Sequence, residues 1–280
     1  MTSRFLPRYN ASMLKLSREI RFALHESSQP TPPNSANSFA AEPALLDIAA
    51  FLTLSATLSG RIDPATGMLI NIKLVDKILR QHALPALRDG YLREPPHPAP
   101  ALLDNLFKNL RQKFLPHALD SLTLHLSPYL SLTIQEPHMI QLSLKFEFSA
   151  AHRLHSPTLS DAENQELFGR CNNPNGHGHN YELEVTLAGP PDATGRLFPI
   201  HHLQRIVNDT ILDRFDHKHL NLDLPEFHDS TGLNPTVENI AAVIFQKLKP
   251  AIEGGGGGVP AKLHRIKLWE TPKTVAEYSV

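Results

Sequence analysis

A chain of 280 residues, 41% of them apolar, is long enough for one large or two ordinary domains with sizeable cores. Its 27 basic and 28 acidic side chains leave a formal charge of -1, which excludes a global attraction for nucleic acid or an anionic membrane surface and makes any phosphate recognition local. One cysteine, Cys171, forbids an intrachain disulfide and fits a reducing compartment. The opening residues break their apolar pieces with Arg4, Arg8, Asn10 and Lys15, well short of the roughly 20 apolar residues of a membrane span, so a cytoplasmic protein without a secretion signal is expected.

In chain order, Leu16 to Leu24 and Phe51 to Leu58 read as strands separated by a Pro/Ser/Asn-rich stretch, and Asp63 to Gly67 reads as a turn. Helical spacing follows at Ile72 to Leu84 and Leu102 to Phe114, and Leu122 to Ile134 reads as a strand pair around Ser127-Pro128. The order then repeats. Leu142 to Phe148 and Tyr181 to Leu187 alternate as half-buried antiparallel strands, Asp192 to Gly195 matches the earlier turn, and Ile200 to Phe215 and Val237 to Leu248 are amphipathic helices, the second opened by Asn234-Pro235. The glycine run Gly254 to Gly258 is a flexible turn before a closing strand pair, Leu263 to Trp269 and Ala276 to Val280. The reading is an α+β chain of two copies. Residues 1–137 form a non-catalytic repeat whose strands help close the same sheet, and residues 138–280 form the domain that keeps the chemistry, Leu126 standing where the second copy has Glu270.

The chemistry concentrates between Phe168 and Tyr181, where Cys171 precedes a His-Gly-His pair by six positions. His177 and His179 are in phase with Tyr181, Leu183 and Val185, and His152 with Leu142, Leu144 and Phe148. Three imidazoles entering one protected face from neighbouring strands would leave a fourth position of a zinc ion open, the arrangement of a catalytic site. Cys171 reads as a thiolate favoured by a nearby cation, as a zinc ligand, or as a small core residue. Asp216-His217 follows a helix and by itself indicates little beyond helix-end polarity. Glu270 is in phase with Ile266 and Leu268, so its carboxylate either faces inward toward a ligand with paired N-H donors or turns to solvent at a strand end; Glu238 belongs in the first turn of its helix.

Taken together, Phe-Ser-Ala-Ala-His-Arg-Leu from 148, Leu-Phe-Gly-Arg-Cys-Asn-Asn-Pro-Asn-Gly-His-Gly-His-Asn-Tyr from 167, Asp-His-Lys-His-Leu-Asn from 216, Pro-Thr-Val-Glu-Asn from 235 and Trp-Glu-Thr from 269 resemble 6-pyruvoyl-tetrahydropterin synthases over about residues 140–280. The resemblance implies a tunnelling fold (T-fold), here in tandem: antiparallel sheet with paired helices on one face, forming a barrel on assembly into a homo-oligomer. It also implies zinc on His152, His177 and His179, Cys171 as proton-abstracting base, Asp216 and His217 as its relay, usually from an adjoining subunit, and Glu270 as the pterin anchor. Thr236 joins the substrate contacts, and Arg170 and Arg153 are assigned to the triphosphate on charge alone. The implied substrate is the small molecule 7,8-dihydroneopterin triphosphate, with no nucleic-acid or membrane partner.

Rival readings remain. The 6-carboxy-tetrahydropterin synthases of queuosine biosynthesis use the same substrate and zinc; their loop usually has three residues between cysteine and His-Gly-His, against five between Cys171 and His177. Pro199 stands where the family usually has Asn or Asp, and Val237 where threonine is frequent near the pterin. A non-catalytic zinc-binding scaffold would need none of Cys171, Asp216, His217 and Glu270, and no His-Glu-x-x-His helix suggests a zinc hydrolase.

Overall fold

The computed structural model describes residues 13–25, 41–135, 139–228, 233–255 and 260–279; much of the stretch between His25 and Phe51, the glycine run beyond Gly255, and Val280 lie outside the described residues. The chain divides into two compact units, Met1–Ile140 and Gln141–Val280.

In the N-terminal unit, alternating sequences form an antiparallel meander of β1 (Leu14–Leu24), β2 (Ala50–Gly60), β3 (Ala118–His125) and β4 (Leu130–Gln135), paired in that order. Between β2 and β3 run α1 (Ile72–Ile78), α2 (Leu84–Leu92) and α3 (Ala99–Lys113), with a π-helical stretch, Leu79–Ala83, joining the first two. The period-2 pattern buries Ile20, Phe22, Leu54, Leu122 and Ile134, and the helices bury Val75, Leu79, Leu103, Phe107 and Leu110. Arg18 clamps α1 to β1 through two 2.7 Å bonds to Asp76. The opposite positions carry hydroxyls, with Ser17 to Thr57 at 2.8 Å and Thr123 to Thr133 at 2.9 Å.

In the C-terminal unit, β5 (Met139–His152), α4 (Asp161–Phe168), a 3-10 turn at Gly169–Asn172 and β6 (His177–Gly189) come first. They are followed by α5 (Ile200–Val207), a π-helical stretch at Asn208–Leu212, α6 (Asp213–Phe215), β7 (Lys218–His219) and α7 (Leu220–Asp223). The long α8 (Val237–Gly255), β8 (Lys262–Thr271) and β9 (Thr274–Ser279) close the unit. The sheet order is β5-β6-β8-β9, antiparallel where β6, β8 and β9 meet, and β7 pairs in parallel with β5. The helical face of α8 buries Ile240, Ile244, Phe245 and Leu248, with the Phe245 ring on Tyr278 of β9. Helix α8 starts two residues after the expected Asn234-Pro235 and continues into the first two glycines of the run.

Helix α4 was not expected, because its eight residues have almost no apolar stripe and bury only Asn164. What builds it is its start: Ser160 caps the helix, and Glu163 reaches back to the Ser160 N-H and hydroxyl at 2.8 and 2.7 Å.

The two units share several local irregularities. In β3, Asp120 is an extra residue where Thr57 pairs with Ser121 and Leu58 with Leu119; in β8, His264 is an extra residue where Thr186 pairs with Arg265 and Leu187 with Leu263. Thr186 bonds Ser143 at 2.9 Å, as Thr57 bonds Ser17. The turns after β2 and β6 each place a glycine at positive φ, Gly67 at 71° and Gly195 at 80°, and in each an aspartate side chain, Asp63 or Asp192, accepts the N-H two residues on.

Candidate active site

His152 ends β5, while His177 and His179 begin β6, and all three rings fall on the face that also carries Phe148 and Tyr181, themselves stacked at 4.9 Å. The candidate ligand atoms of the trio all lie within 4.8 Å of one another, and among the described residues they are the one such His/Cys/Asp/Glu group. His152 is fully buried, and its Nδ1 donates to the Pro235 carbonyl at 2.7 Å, just before α8. A carbonyl can only accept, so Nδ1 carries the proton and Nε2 presents a bare lone pair.

That lone pair faces His177 Nε2 at 3.2 Å. This is close to the roughly 3.3 Å between two ligand atoms of a tetrahedral ion with metal–nitrogen bonds of about 2.0 Å. Among the described residues His179 Nε2 is buried without a hydrogen-bond partner, an arrangement that a cation would relieve. Burial first, and then the neighbouring histidines, push His152 down to about 4 despite its bond to Pro235, so it is neutral near pH 7. Burial and His179 likewise lower His177. Three converging imidazoles, two of them with lowered proton affinity, are a donor set that can hold a divalent metal.

Glu270, near the end of β8, completes the cluster, its Oε1 standing 3.5 Å from His152 Nε2 and 3.8 Å from His179 Nε2. It faces inward, as its phase with the buried Ile266 and Leu268 requires. The Tyr181 hydroxyl beneath is buried without a partner, and burial together with Glu270 raises its ionisation so that it stays a phenol.

Tight turns set these rings. Gly176 has φ 72°, and a Cβ there would stand 2.5 Å from His219 Nε2 and 3.0 Å from the His152 carbonyl, so only glycine lets the chain turn into β6 at this point. Cys171 lies half-buried in the 3-10 turn, its carbonyl accepting the Leu154 N-H at 2.8 Å. It is outside the ligand cluster.

Asp216 and His217 sit between α6 and β7. Asp216 Oδ1 accepts the Ser149 N-H at 2.7 Å, and Oδ2 lies 2.9 Å from His217 Nδ1. The bond from Ser149 is the main reason the carboxylate ionises below its ordinary range. His217 holds φ 56°, anchored by its own N-H to the Ser149 carbonyl, and its side chain is 83% exposed. Neither residue hydrogen-bonds Cys171 among the described residues. A cleft of about 480 Å³ lies beside this pair, lined by Ser149, Ala151, His179, Asn180, His217 and His219 among others. Another cavity, of about 550 Å³, lies within the N-terminal unit near Lys15, Arg111 and His117 and contains none of these groups.

The family model of 6-pyruvoyl tetrahydropterin synthase matches residues 141–280, the whole C-terminal unit. The chain belongs to that family. The human 6-pyruvoyl tetrahydrobiopterin synthase is 41% identical over 139 residues, 49% of this chain and 90% of the relative. The 6-carboxy-5,6,7,8-tetrahydropterin synthase of Haemophilus influenzae is 29% identical over 158 residues, 50% of this chain and 99% of the relative. The solved Caenorhabditis elegans 6-pyruvoyl tetrahydropterin synthase shares 40% identity over 51% of this chain and 96% of its own, with a TM-score of 0.46.

Within the family domain, the structure brings His152, His177, His179 and Glu270 together. The other residues named from sequence have different surroundings. Thr236 uses its hydroxyl to cap α8, accepting the Asn239 N-H at 3.4 Å. Arg170 is exposed. Arg153 points at the cysteine turn, its Nε 3.2 Å from both the carbonyl and the side-chain oxygen of Asn172. Sequence reading missed His219, whose ring closes against Gly176; the one cue was its place in a His-rich motif. No described helix is long and apolar enough to cross a membrane.

Proposed function

We propose that the chain is a zinc-dependent 6-pyruvoyl-tetrahydropterin synthase, converting 7,8-dihydroneopterin triphosphate to 6-pyruvoyl-tetrahydropterin with loss of triphosphate. The observation that carries this reading is the convergence of three imidazoles and a carboxylate, Glu270, at one end of the sheet, in a domain 41% identical to the human 6-pyruvoyl tetrahydrobiopterin synthase. His152, His177 and His179 hold the metal, which when bound polarises the oxygens of the substrate side chain and makes the neighbouring C-H bonds more acidic.

Cys171, as thiolate, takes a proton from the substrate side chain. Asp216 fixes the tautomer of His217 through Nδ1 and leaves Nε2 free to relay that proton. A second copy of the chain supplies the relay: His217 is displayed to solvent, and among the described residues neither it nor Asp216 hydrogen-bonds Cys171. Glu270 accepts the paired N-H donors of the 2-amino-pyrimidinone ring. The rearrangement is internal, oxidising the side chain while reducing the ring, and needs no outside oxidant.

Residues 1–137 are a degenerate copy of the same fold without the site. The shared bulge, hydroxyl pair, aspartate turn and π-helical stretch support a common origin. Aligning the bulges sets Leu126 opposite Glu270 and Ala50 opposite His179, side chains that bind neither metal nor pterin.

Incubating the zinc-loaded protein with dihydroneopterin triphosphate and weighing the product tests the reading. A 6-pyruvoyl product is expected. A 6-carboxy product, favoured by the Haemophilus relative but not by the five-residue Cys171–His177 spacing, selects the queuosine-type reaction. Untouched substrate with bound zinc indicates a scaffold.

A further inference from the structure

The turn that carries Cys171 is half-buried at the thiol. What fixes it comes from the residue after the His152 ligand. Arg153 Nε lies 3.2 Å from both the carbonyl and the side-chain oxygen of Asn172, and its Nη2 lies 3.2 Å from His155 Nδ1. His155 Nδ1 in turn sits 3.0 Å from that same Asn172 oxygen. Asn172 is 8% exposed, so the network lies under the turn rather than on the surface.

Arg153 is itself held at both backbone groups by one side chain. Asn221 on α7 accepts the Arg153 N-H at 2.8 Å and donates to the Arg153 carbonyl at 3.1 Å. The Leu154 N-H then completes the link to the Cys171 carbonyl at 2.8 Å. A run of contacts therefore joins α7, the end of β5 and the cysteine turn, and at its centre the Arg153 Nε-H is shared between two oxygens of Asn172.

We propose that Arg153 is a positioning residue for Cys171, acting through Asn172, and is not part of the surface that recognises the triphosphate. The proposal rests on the reading of Cys171 as the base, and it adds how the fold keeps that base in place. Buried hydrogen bonds hold the groups they join, and here the bonds whose donors and acceptors match run from Arg153 Nε to Asn172, with His155 Nδ1 bonding either Arg153 or Asn172 according to its tautomer. A displacement of about 1 Å at a reacting group costs roughly 100-fold in rate. Removing the brace therefore lowers turnover without weakening substrate capture, whereas removing a phosphate contact weakens capture.

Because Cys171 is the only cysteine, alkylation of the whole chain reports on this thiol alone. Native, Arg153→Ala, Asn172→Ala and doubly substituted zinc-loaded proteins are treated with iodoacetamide and followed by intact mass, and in parallel assayed with dihydroneopterin triphosphate. Each single variant is expected to keep its zinc, to alkylate roughly tenfold faster, and to lose about 100-fold in kcat with KM nearly unchanged. The double variant should be no worse than either single one, as for two members of one network.

Unchanged alkylation with a raised KM would assign Arg153 to the triphosphate and overturn the proposal, as would additive losses in the double variant. Should Arg153→Ala fail to fold, Arg153→Lys decides: a phosphate contact keeps KM with the charge retained, whereas the brace loses kcat and gains alkylation rate. If the native protein leaves the pterin untouched, the functional reading fails while the alkylation series still measures the brace.

Discussion

At the scale of single residues, His152 concentrates most of the consequences. Its ordinary value of 6.5 falls to about 4 in the fold, chiefly through burial. The unfolded chain thus takes up this proton at a higher pH than the folded one. Between those two values unfolding binds a proton, so the metal-free protein loses stability as the pH falls, by up to about 3 kcal/mol from this group alone. Urea unfolding of metal-free protein at pH 7 and near pH 4.5 should show the loss, and His152→Gln should flatten it. Cys171 makes a separate prediction: Cys171→Ala should abolish turnover yet retain zinc on metal analysis, and loss of the metal would make the thiol a ligand. Glu270→Ala should raise KM with the metal still bound.

These residues were legible in the sequence because strand parity is a local rule. The phase of His152 with Leu142 and Phe148 indicated the side it faces, and that of Glu270 with Ile266 and Leu268 offered the inward side against a strand end turned to solvent. The brace under Cys171 was not legible. Arg153, Asn172 and Asn221 are far apart in sequence, and charge alone suggested a phosphate contact for an arginine whose Nε the fold sets against Asn172.

At the scale of elements, the turn into β6 is the sensitive point. Gly176 and Gly67 have nearly the same φ, 72° and 71°, but a Cβ at Gly67 meets nothing within 4 Å whereas one at Gly176 presses on His219 and the His152 carbonyl. Gly67→Ala should therefore cost only the backbone strain, about 1 kcal/mol in chemical denaturation. Gly176→Ala should cost more and should also weaken metal affinity, because the displaced groups adjoin two of the three ligands. Equal losses at the two sites would mean that the crowding at Gly176 is readily relaxed. Most strands and long helices followed from their apolar periods, whereas α4 did not, since an eight-residue helix made by its capping box shows little apolar pattern to read.

At the scale of the whole molecule, the two units differ in chemistry although they repeat the same irregularities. One zinc per chain is expected on metal analysis if residues 1–137 are the stripped copy proposed above, with Leu126 and Ala50 opposite Glu270 and His179; two would contradict that reading. Co-expression of Cys171→Ala and His217→Ala chains, each inactive alone, should restore measurable turnover, because a mixed assembly pairs an intact thiol with an intact relay. Absence of recovery in a proven mixed assembly would place the relay in the same chain as its cysteine.

By itself, the sequence determined the strand and helix order, the face of each histidine and the family, because apolar periodicity and contiguous motifs are properties of neighbouring residues. Only the tertiary structure decided that Pro235 sets the proton of His152, that His219 demands glycine at 176, and that Arg153 Nε lies against Asn172. Each of those depends on a contact between segments distant along the chain, and such contacts come into being only when the sheet and its helices have packed.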